Sequence, residues 1–252
     1  MMSFSGLVLT YLGRLAEAGR IIDRCLQLAI EFGELGSTNA IRGFGVTHAW
    51  FTGDGVTAMQ HARLQVEFAE RVASPAARAG AYDSLGIAHL LRGEWEDAVR
   101  CLEGSLGIVR ETGTFLQAEA LMLANMSDAY RGCGDLDRAI DVAREAVEVA
   151  RSRRTRMHEC RASLFLGRAL VARAAGADLR EAEAALSDAM AIVNKTEARA
   201  YEPYVRAELA ALAAARGDDP LRRREIAHAA ALFRDIGADS RAAEIANAHA
   251  AA

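Results

Sequence analysis

Two amphipathic stretches stand next to each other in residues 77–113. The first places Tyr82 and Leu85 three residues apart, and the second carries an apolar stripe that begins at Trp95. A period of three to four residues is typical of an α-helix that buries one face. Gly93 separates the stretches, where the first helix must end and a left-handed residue is favoured. The pattern predicts two helices that a tight turn holds antiparallel.

This helical hairpin recurs along the whole chain. Successive turn glycines, each followed by a helical stretch, are separated by 40, 40, 41, 42 and 41 residues. A period this regular is typical of a solenoid, in which each unit packs on its neighbours. The glycines are Gly13, Gly53, Gly93, Gly134, Gly176 and Gly217.

Small residues recur at fixed distances from the turn glycines. Gly86 stands seven residues before Gly93, Ala98 five after it, and Ser105 seven further on. Small side chains let two helices approach to about 8 Å, the close end of the usual range. The first and fourth units repeat this spacing, and the fifth repeats it with an insertion. The spacing predicts where the two helices of each hairpin cross.

These residues resemble the tetratricopeptide repeat, whose pattern is an aromatic residue, Leu-Gly, a second aromatic residue, Gly, Ala and another small residue. The third unit matches it with Tyr82, Leu85, Gly86, Gly93 and Ala98. The fourth matches it with Tyr130, Gly134, Ala139 and Ala146. The second and sixth units depart from it, because Val46 and Ala210 stand at the first glycine site.

The unit length adds to this resemblance. The common repeat has about 34 residues, whereas the units here have 40 to 42. Such long units are similar to the arrays in bacterial signal-transduction ATPases, in helix-turn-helix regulators and in proteins linked to adenylate or guanylate cyclases. The resemblance implies an all-α, right-handed superhelix that binds partners and has no catalytic activity.

We therefore predict one repeat domain over residues 1–252, an α-solenoid of about six antiparallel helix pairs. A capping helix over residues 239–250 follows, since the last unit needs a polar outer face. The first helix begins close to Met1, which fits either a fragment of a longer array or a short frayed helix. The predicted units span residues 1–36, 37–76, 77–115, 116–155, 156–198 and 199–238.

Composition narrows the classes of partner. The formal net charge of −4 provides no overall field for nucleic acid or an anionic membrane. The opening residues fit neither a signal peptide nor a membrane span. The four cysteines, Cys25, Cys101, Cys133 and Cys160, include no CxxC pair, so we expect reduced thiols in a cytoplasmic protein.

Motifs for catalysis and cofactors are missing from the sequence. No GxxxxGK[ST] loop occurs, and Gly43 and Gly45 begin a dinucleotide fingerprint that His48 interrupts. His158 and Cys160, two residues apart on a helix, point in different directions. The sequence therefore predicts a protein that is not an enzyme and has no cofactor or metal site.

The resemblance also implies where a ligand would bind. In tetratricopeptide arrays the first helices of successive units line the concave groove, and their outward positions contact the ligand. The chaperone-tail-binding members use a lysine clamp, which the single lysine of this chain disfavours. The groove positions here are Phe44, Thr47, Asp83, Ile87, Asn125, Asp128, Arg161, Arg168 and Tyr204.

Three functions stay open from the sequence. The leading one is a protein- or peptide-binding or sensor module of a bacterial signalling or regulatory protein. The second is self-association, or a scaffold segment within a larger ATPase, transcriptional regulator or nucleotide cyclase. The third is a sensor for a small effector molecule. None of them involves direct contact with nucleic acid or a membrane, and the second includes a homo-oligomer.

Overall fold

The computed structural model describes the backbone of residues 2–250 and the side chains of residues 4–247. This part of the chain contains thirteen α-helices, two short 3-10 turns and no β-strand. The helices are α1 (Met2–Tyr11), α2 (Leu15–Glu31), α3 (Leu35–Thr52), α4 (Gly55–Val72), α5 (Pro75–Arg92), α6 (Trp95–Thr112), α7 (Glu119–Gly132), α8 (Leu136–Ser152), α9 (Arg156–Arg173), α10 (Gly176–Thr196), α11 (Glu202–Ala215), α12 (Asp219–Asp235) and α13 (Asp239–Ala250).

Consecutive helices form six antiparallel pairs that stack in chain order into a right-handed superhelix, and α13 follows the last pair. The predicted fold class is confirmed. The first helices of the pairs, α1, α3, α5, α7, α9 and α11, line the inner face. Two of them, α3 and α5, begin at Leu35 and Pro75, two residues before the predicted unit boundaries.

Five of the six periodic glycines end a first helix in the left-handed region, with φ between 71° and 83°. Gly176 differs from the prediction. Helix α9 ends at Arg173, Ala174 takes the left-handed position with φ 54°, and Gly176 begins α10. The insertion in this turn moves the glycine beyond the end of the helix, so an alanine adopts a conformation that favours glycine.

The small residues lie where the paired helices cross. A Cβ atom at Gly86 would lie 2.6 Å from Cγ of Leu102, and one at Gly6 would lie 2.7 Å from Cγ1 of Ile22. Ala98 and Ser105 are fully buried. The spacing of small residues therefore sets how closely the two helices of a unit approach.

The two ends of the superhelix touch each other, and we call this contact the seam. The rings of Tyr11 and Tyr201 stack with 6.1 Å between centroids. Arg241 of α13 donates a hydrogen bond to the carbonyl of Trp50 in α3. The units thus pack not only on their neighbours, as in an open solenoid, but also across a closed coil.

Candidate ligand site on the inner face

A cavity of about 520 Å³ lies on the inner face, near the N-terminal ends of the first helices. We call it the inner cavity. Helices α1, α3, α5, α7 and α9 all contribute side chains to it, and α4 adds two more. Its wall is largely apolar, with Leu7, Phe44, Phe68, Ile87, Phe115 and Leu121.

Several polar atoms in this wall have no hydrogen-bond partner within the described residues. They are Oδ1 of Asn39, Oε1 of Gln65 and Nδ1 of His158. The Nε2 atom of Gln65 donates to the backbone carbonyl of Asn39 over 3.1 Å. Burial, with a smaller contribution from Arg161, lowers the pKa of His158 to about 4, so its ring is neutral at pH 7.

A buried chain of hydrogen bonds begins at Asp83, in the wall of the inner cavity, and continues behind that wall. Asn125 Nδ2 donates to Asp83 Oδ1 over 3.4 Å, and Arg161 Nη1 donates to Asn125 Oδ1 over 3.1 Å. Arg161 is only 1% exposed, and its Cζ atom lies 3.9 Å from the centroid of the Trp50 ring. Burial raises the pKa of Asp83 to about 6, against smaller lowering effects of Asn125 and Arg161.

Aromatic rings surround Arg161 and fill the space behind the inner cavity. Their mutual contacts include a stack of Trp50 on Tyr204, 4.7 Å between centroids, and an edge contact of Phe51 with Tyr201 at 4.9 Å. These rings come from units at both ends of the chain. The contact between the two ends that forms the seam therefore also packs the rings around Arg161. The aromatic layer consists of Tyr11, Trp50, Phe51, Phe165, Tyr201 and Tyr204.

A second recess of about 440 Å³ lies beyond the aromatic layer, at the C-terminal ends of the first helices. Arg168 lies there between Asp128, with Nη1 to Oδ2 at 3.2 Å, and Glu208, with Nε to Oε1 at 2.6 Å. Burial would raise the pKa of Asp128, but Arg168 and Arg131 outweigh it and keep that pKa below its ordinary value. The charged groups of this recess are therefore already paired.

The nine positions implied by the resemblance all lie on the inner face, but not in one open groove. Phe44, Thr47, Asp83 and Ile87 line the inner cavity. Asp128, Arg168 and Tyr204 line the second recess.

Asn125 and Arg161, in contrast, are buried between the two recesses. Closure of the coil packs the aromatic layer across the middle of the inner face and separates the two recesses.

The three residues of the inner cavity that carry unpartnered polar atoms were not among the predicted positions. Gln65 belongs to α4, a second helix, whereas the resemblance points to first helices only. Asn39 lies in the first turns of α3 and gives no distinctive signal. His158 stands three residues before Arg161, and this i, i+3 spacing on one helix face could have marked it.

One group of possible metal ligands comes together among the described residues, namely His89, Glu94 and Asp97. His89 Nδ1 lies 2.6 Å from Glu94 Oε2, and Arg92 pairs with the same carboxylate at 2.7 Å. Arg100 pairs with Asp97. An arginine therefore already neutralises each of the two carboxylates that could bind a metal ion.

Another recess, of about 630 Å³, lies at the seam and not on the inner face. Asp54 in its wall accepts hydrogen bonds from the backbone amides of Val56 and Thr57 and so caps α4. His48 Nε2 lies 2.9 Å from the carbonyl of Leu15. These side chains serve local structure, and we consider the inner cavity the better candidate for a ligand.

Comparison with known proteins supports the repeat assignment. Residues 77–152 match the family model described as tetratricopeptide repeat. A comparison with curated proteins gave no match. None of the helices within residues 2–250 has the length and apolar character needed to cross a bilayer.

Solved structures with similar folds include BtubC (BKLC) from P. vanneervenii, with 18% identity, a TM-score of 0.59, and coverage of 88% of this chain and 91% of that one. The TPR-like kinesin light chain repeats of Podosopora anserina match with 18% identity, a TM-score of 0.51, and coverage of 78% and 95%. At this identity the likeness concerns the fold alone.

A third similar structure is a Signal Transduction ATPase with Numerous Domains (STAND) protein with a tetratricopeptide repeat sensor, from Pyrococcus horikoshii. It shares 17% identity with a TM-score of 0.53, and the match covers 92% of this chain but 38% of that one. Together, the matched segment and the shared fold confirm the prediction of tetratricopeptide-type repeats.

Proposed function

We propose, from the premise that this chain is a tetratricopeptide-repeat protein, that it is a non-catalytic sensor module that binds its ligand in the inner cavity. Repeats of this family generally mediate protein interactions or form scaffolds. The observation that carries the proposal is a cavity of about 520 Å³ with an apolar wall and several unpartnered polar atoms. Ligand sites commonly have about 300 to 1,000 Å³ and this mixture of groups.

The proposal includes a setting for the module. A protein described as a STAND ATPase with a tetratricopeptide repeat sensor has a similar fold, and the long units resemble arrays of bacterial regulators. We therefore place the module in a bacterial signalling or regulatory protein of the cytoplasm, as a single repeat domain. The partner that receives its signal would be another domain or another protein.

The shape of the inner face limits what can bind. The aromatic layer fills the space between the inner cavity and the second recess. An extended peptide therefore cannot run along the whole concave surface. A ligand must instead enter from the side of the helix N-termini and end at Asp83, behind which Asn125 and Arg161 are buried. A small effector, or a single side chain of a partner, satisfies this limit.

A pair of glycine variants tests the proposal. Gly80 lines the inner cavity, and a Cβ atom there would have ordinary contacts with the Phe115 ring at 3.7 and 3.8 Å. Gly80→Leu therefore fills the cavity from its wall. Gly107→Leu is the matched control, since Gly107 lies mid-helix in α6 with no atom within 4 Å of a Cβ.

The experiment immobilises the full chain, exposes it to a bacterial extract and identifies retained proteins and small molecules by mass spectrometry. We expect the wild type and Gly107→Leu to retain the same binder and Gly80→Leu to lose it. Equal retention by all three chains, or no specific binder on the wild type, would contradict the proposal.

Self-association is a second candidate function, which an apolar edge of the first two units favours. Phe32 is 76% exposed and Phe4 is 64% exposed, and both lie where α1 begins and α2 ends. Ile30 and Leu35 extend the same edge. Light scattering should then show a dimer that Phe32→Glu disrupts and Leu64→Glu, on α4, does not. A monomer at all concentrations would remove this candidate.

A further inference from the structure

Asp83 is the one charged side chain among the described residues that line the inner cavity, since the ring of His158 is neutral. The residue is 7% exposed. Within the described part of the chain it forms no salt bridge, and its single hydrogen bond is the long one from Asn125. Arg161 is the nearby cation, but Asn125 stands between them. A buried carboxylate without a cation is unfavourable, and the raised pKa of Asp83 reflects this.

Two of the unpartnered atoms in the wall of the inner cavity are hydrogen-bond acceptors. Gln65 is 4% exposed, and its amide orientation is fixed because Nε2 donates to the Asn39 carbonyl. Its Oε1 atom is therefore an acceptor without a donor, as is Oδ1 of Asn39. Nδ1 of His158 is a third unpartnered polar atom of this wall. A ligand for this wall has to supply donors.

Two features near the site, the helix N-termini and Arg161, would attract an anion, whereas Asp83 would repel it. The helix N-termini around the opening contribute about 0.3 to 1 kcal/mol each, within the first turn only. Asp83 is the ninth residue of α5, so it lies two turns deeper. Arg161 is covered by the Trp50 ring and is not part of the cavity wall. An anion in the cavity would instead meet the Asp83 carboxylate.

We propose that the inner cavity selects an apolar primary amine, with an ammonium group at Asp83 and a hydrocarbon or aromatic body against the wall. The ammonium group brings a positive charge for the carboxylate and three hydrogen-bond donors for a wall whose unpartnered oxygens are acceptors. Phe44, Phe68 and Phe115 supply the apolar surface and aromatic faces that attract a cation. This inference rests on the proposed function, because it names the chemistry of the ligand for the same cavity.

Three probes of one shape test the inference, namely 4-phenylbutylamine, 4-phenylbutanol and 4-phenylbutyrate. Their affinities for the full chain are measured by calorimetry at pH 7.5. We expect the amine to bind about tenfold more tightly than the alcohol, the usual effect of a charge-assisted hydrogen bond. Asp83→Asn should reduce the ratio between the two affinities to less than about twofold.

Two more variants keep the test decisive. Gly80→Leu should abolish binding of all three probes and Gly107→Leu should not, which locates them in the cavity. If Asp83→Asn does not fold, Gln65→Met, which removes an acceptor at similar volume, should weaken the amine more than the alcohol. Equal affinities of the three probes, or tightest binding of the carboxylate, would overturn the amine selectivity and leave cavity binding in place.

Absence of binding by any probe would also overturn the inference. The proposed function would then be judged separately, by the retention experiment with the Gly80 and Gly107 variants, because that experiment assumes no ligand chemistry.

Discussion

The hydroxyl of Tyr204 donates a hydrogen bond of 2.9 Å to the backbone carbonyl of Phe51, 153 residues earlier in the chain. It also lies 3.3 Å from the carbonyl of Trp50. Both carbonyls belong to the last turn of α3, where no further turn supplies amide donors. One side chain of the sixth unit therefore completes a helix of the second unit and holds the superhelix closed.

Replacing Tyr204 with phenylalanine should open the seam locally. The variant keeps the ring and its stack on Trp50 but leaves the α3 carbonyls with fewer donors. We expect a loss of about 1 to 2 kcal/mol in the free energy of unfolding, measured with urea. Amide hydrogen exchange should accelerate in the residues around Phe51.

Tyr82→Phe is the control for this variant. The Tyr82 hydroxyl makes no hydrogen bond within the described residues, so its loss should change stability by less than about 0.5 kcal/mol. Equal effects of the two substitutions would show that the Tyr204 hydroxyl does not hold the seam.

Gly86→Ala should destabilise the third unit through its helix crossing. The new Cβ would lie 2.6 Å from Cγ and 2.8 Å from Cδ2 of Leu102, so α5 and α6 have to move apart. Overpacking of this kind costs about 1 to 3 kcal/mol. Gly107→Ala adds a methyl group with no neighbour within 4 Å, and it should stabilise by about 0.5 to 1 kcal/mol. Chemical unfolding measures the change in the free energy of unfolding for both variants. Changes of the same sign would contradict the prediction.

The crossing at Gly86 and the seam at Tyr204 differ in how far the sequence predicts them. Gly86 and Leu102 are 16 residues apart, inside one unit; the repeated pattern marks Gly86, and Leu102 lies on the apolar stripe that begins at Trp95. Tyr204 and Phe51 belong to units that the pattern treats as distant. In the sequence both residues resemble ordinary core residues, and no local pattern indicates that they contact each other.

The candidate site shows the same division. Asp83 and Phe44 could be placed on the inner face because their repeat positions imply it. The burial of Arg161 could not be predicted, since it depends on Trp50 and on rings from both ends of the chain. Gln65 was missed because a side chain from a second helix reaches the cavity only after the units have stacked.

Asp83 should make the folded state less stable as the pH rises from about 4 to 6. Its pKa is about 6 in the folded chain against an ordinary value of 3.8, so the folded state holds the proton more tightly in this interval. The stabilisation is complete below the lower value and is lost as the pH passes the higher one. Asp83→Asn removes the titration.

We therefore expect the stability of Asp83→Asn, relative to the wild type, to increase by on the order of 2 to 3 kcal/mol between pH 4 and pH 7. Urea unfolding at each pH measures the difference. Asp141→Asn, at a side chain that is 78% exposed, should show no such trend. A relative stability that does not depend on pH would mean that the Asp83 carboxylate is not held in an unfavourable environment.

His158 should produce the opposite dependence in an overlapping interval. Its pKa is about 4 in the folded chain against 6.5 ordinarily, chiefly because of burial. The unfolded chain binds the proton first, so stability is lost as the pH falls from about 6.5 to 4. His158→Asn should reduce this loss, whereas substitution of the exposed His228 should not. Acid unfolding profiles that are the same for the wild type, His158→Asn and the His228 variant would exclude a buried neutral ring at His158.

Ala174→Gly should stabilise the protein at the turn between α9 and α10. Ala174 has φ 54°, a conformation that costs an alanine about 1 to 2 kcal/mol and a glycine almost nothing. The extra flexibility of glycine in the unfolded chain offsets part of this, which leaves a gain of about 0.5 to 1 kcal/mol. Ala172→Gly, two residues earlier and inside α9, should instead destabilise by about 0.5 to 1 kcal/mol. Thermal and urea unfolding of both variants measure the contrast, and a loss of stability in both would show that the turn does not hold Ala174 in the left-handed region.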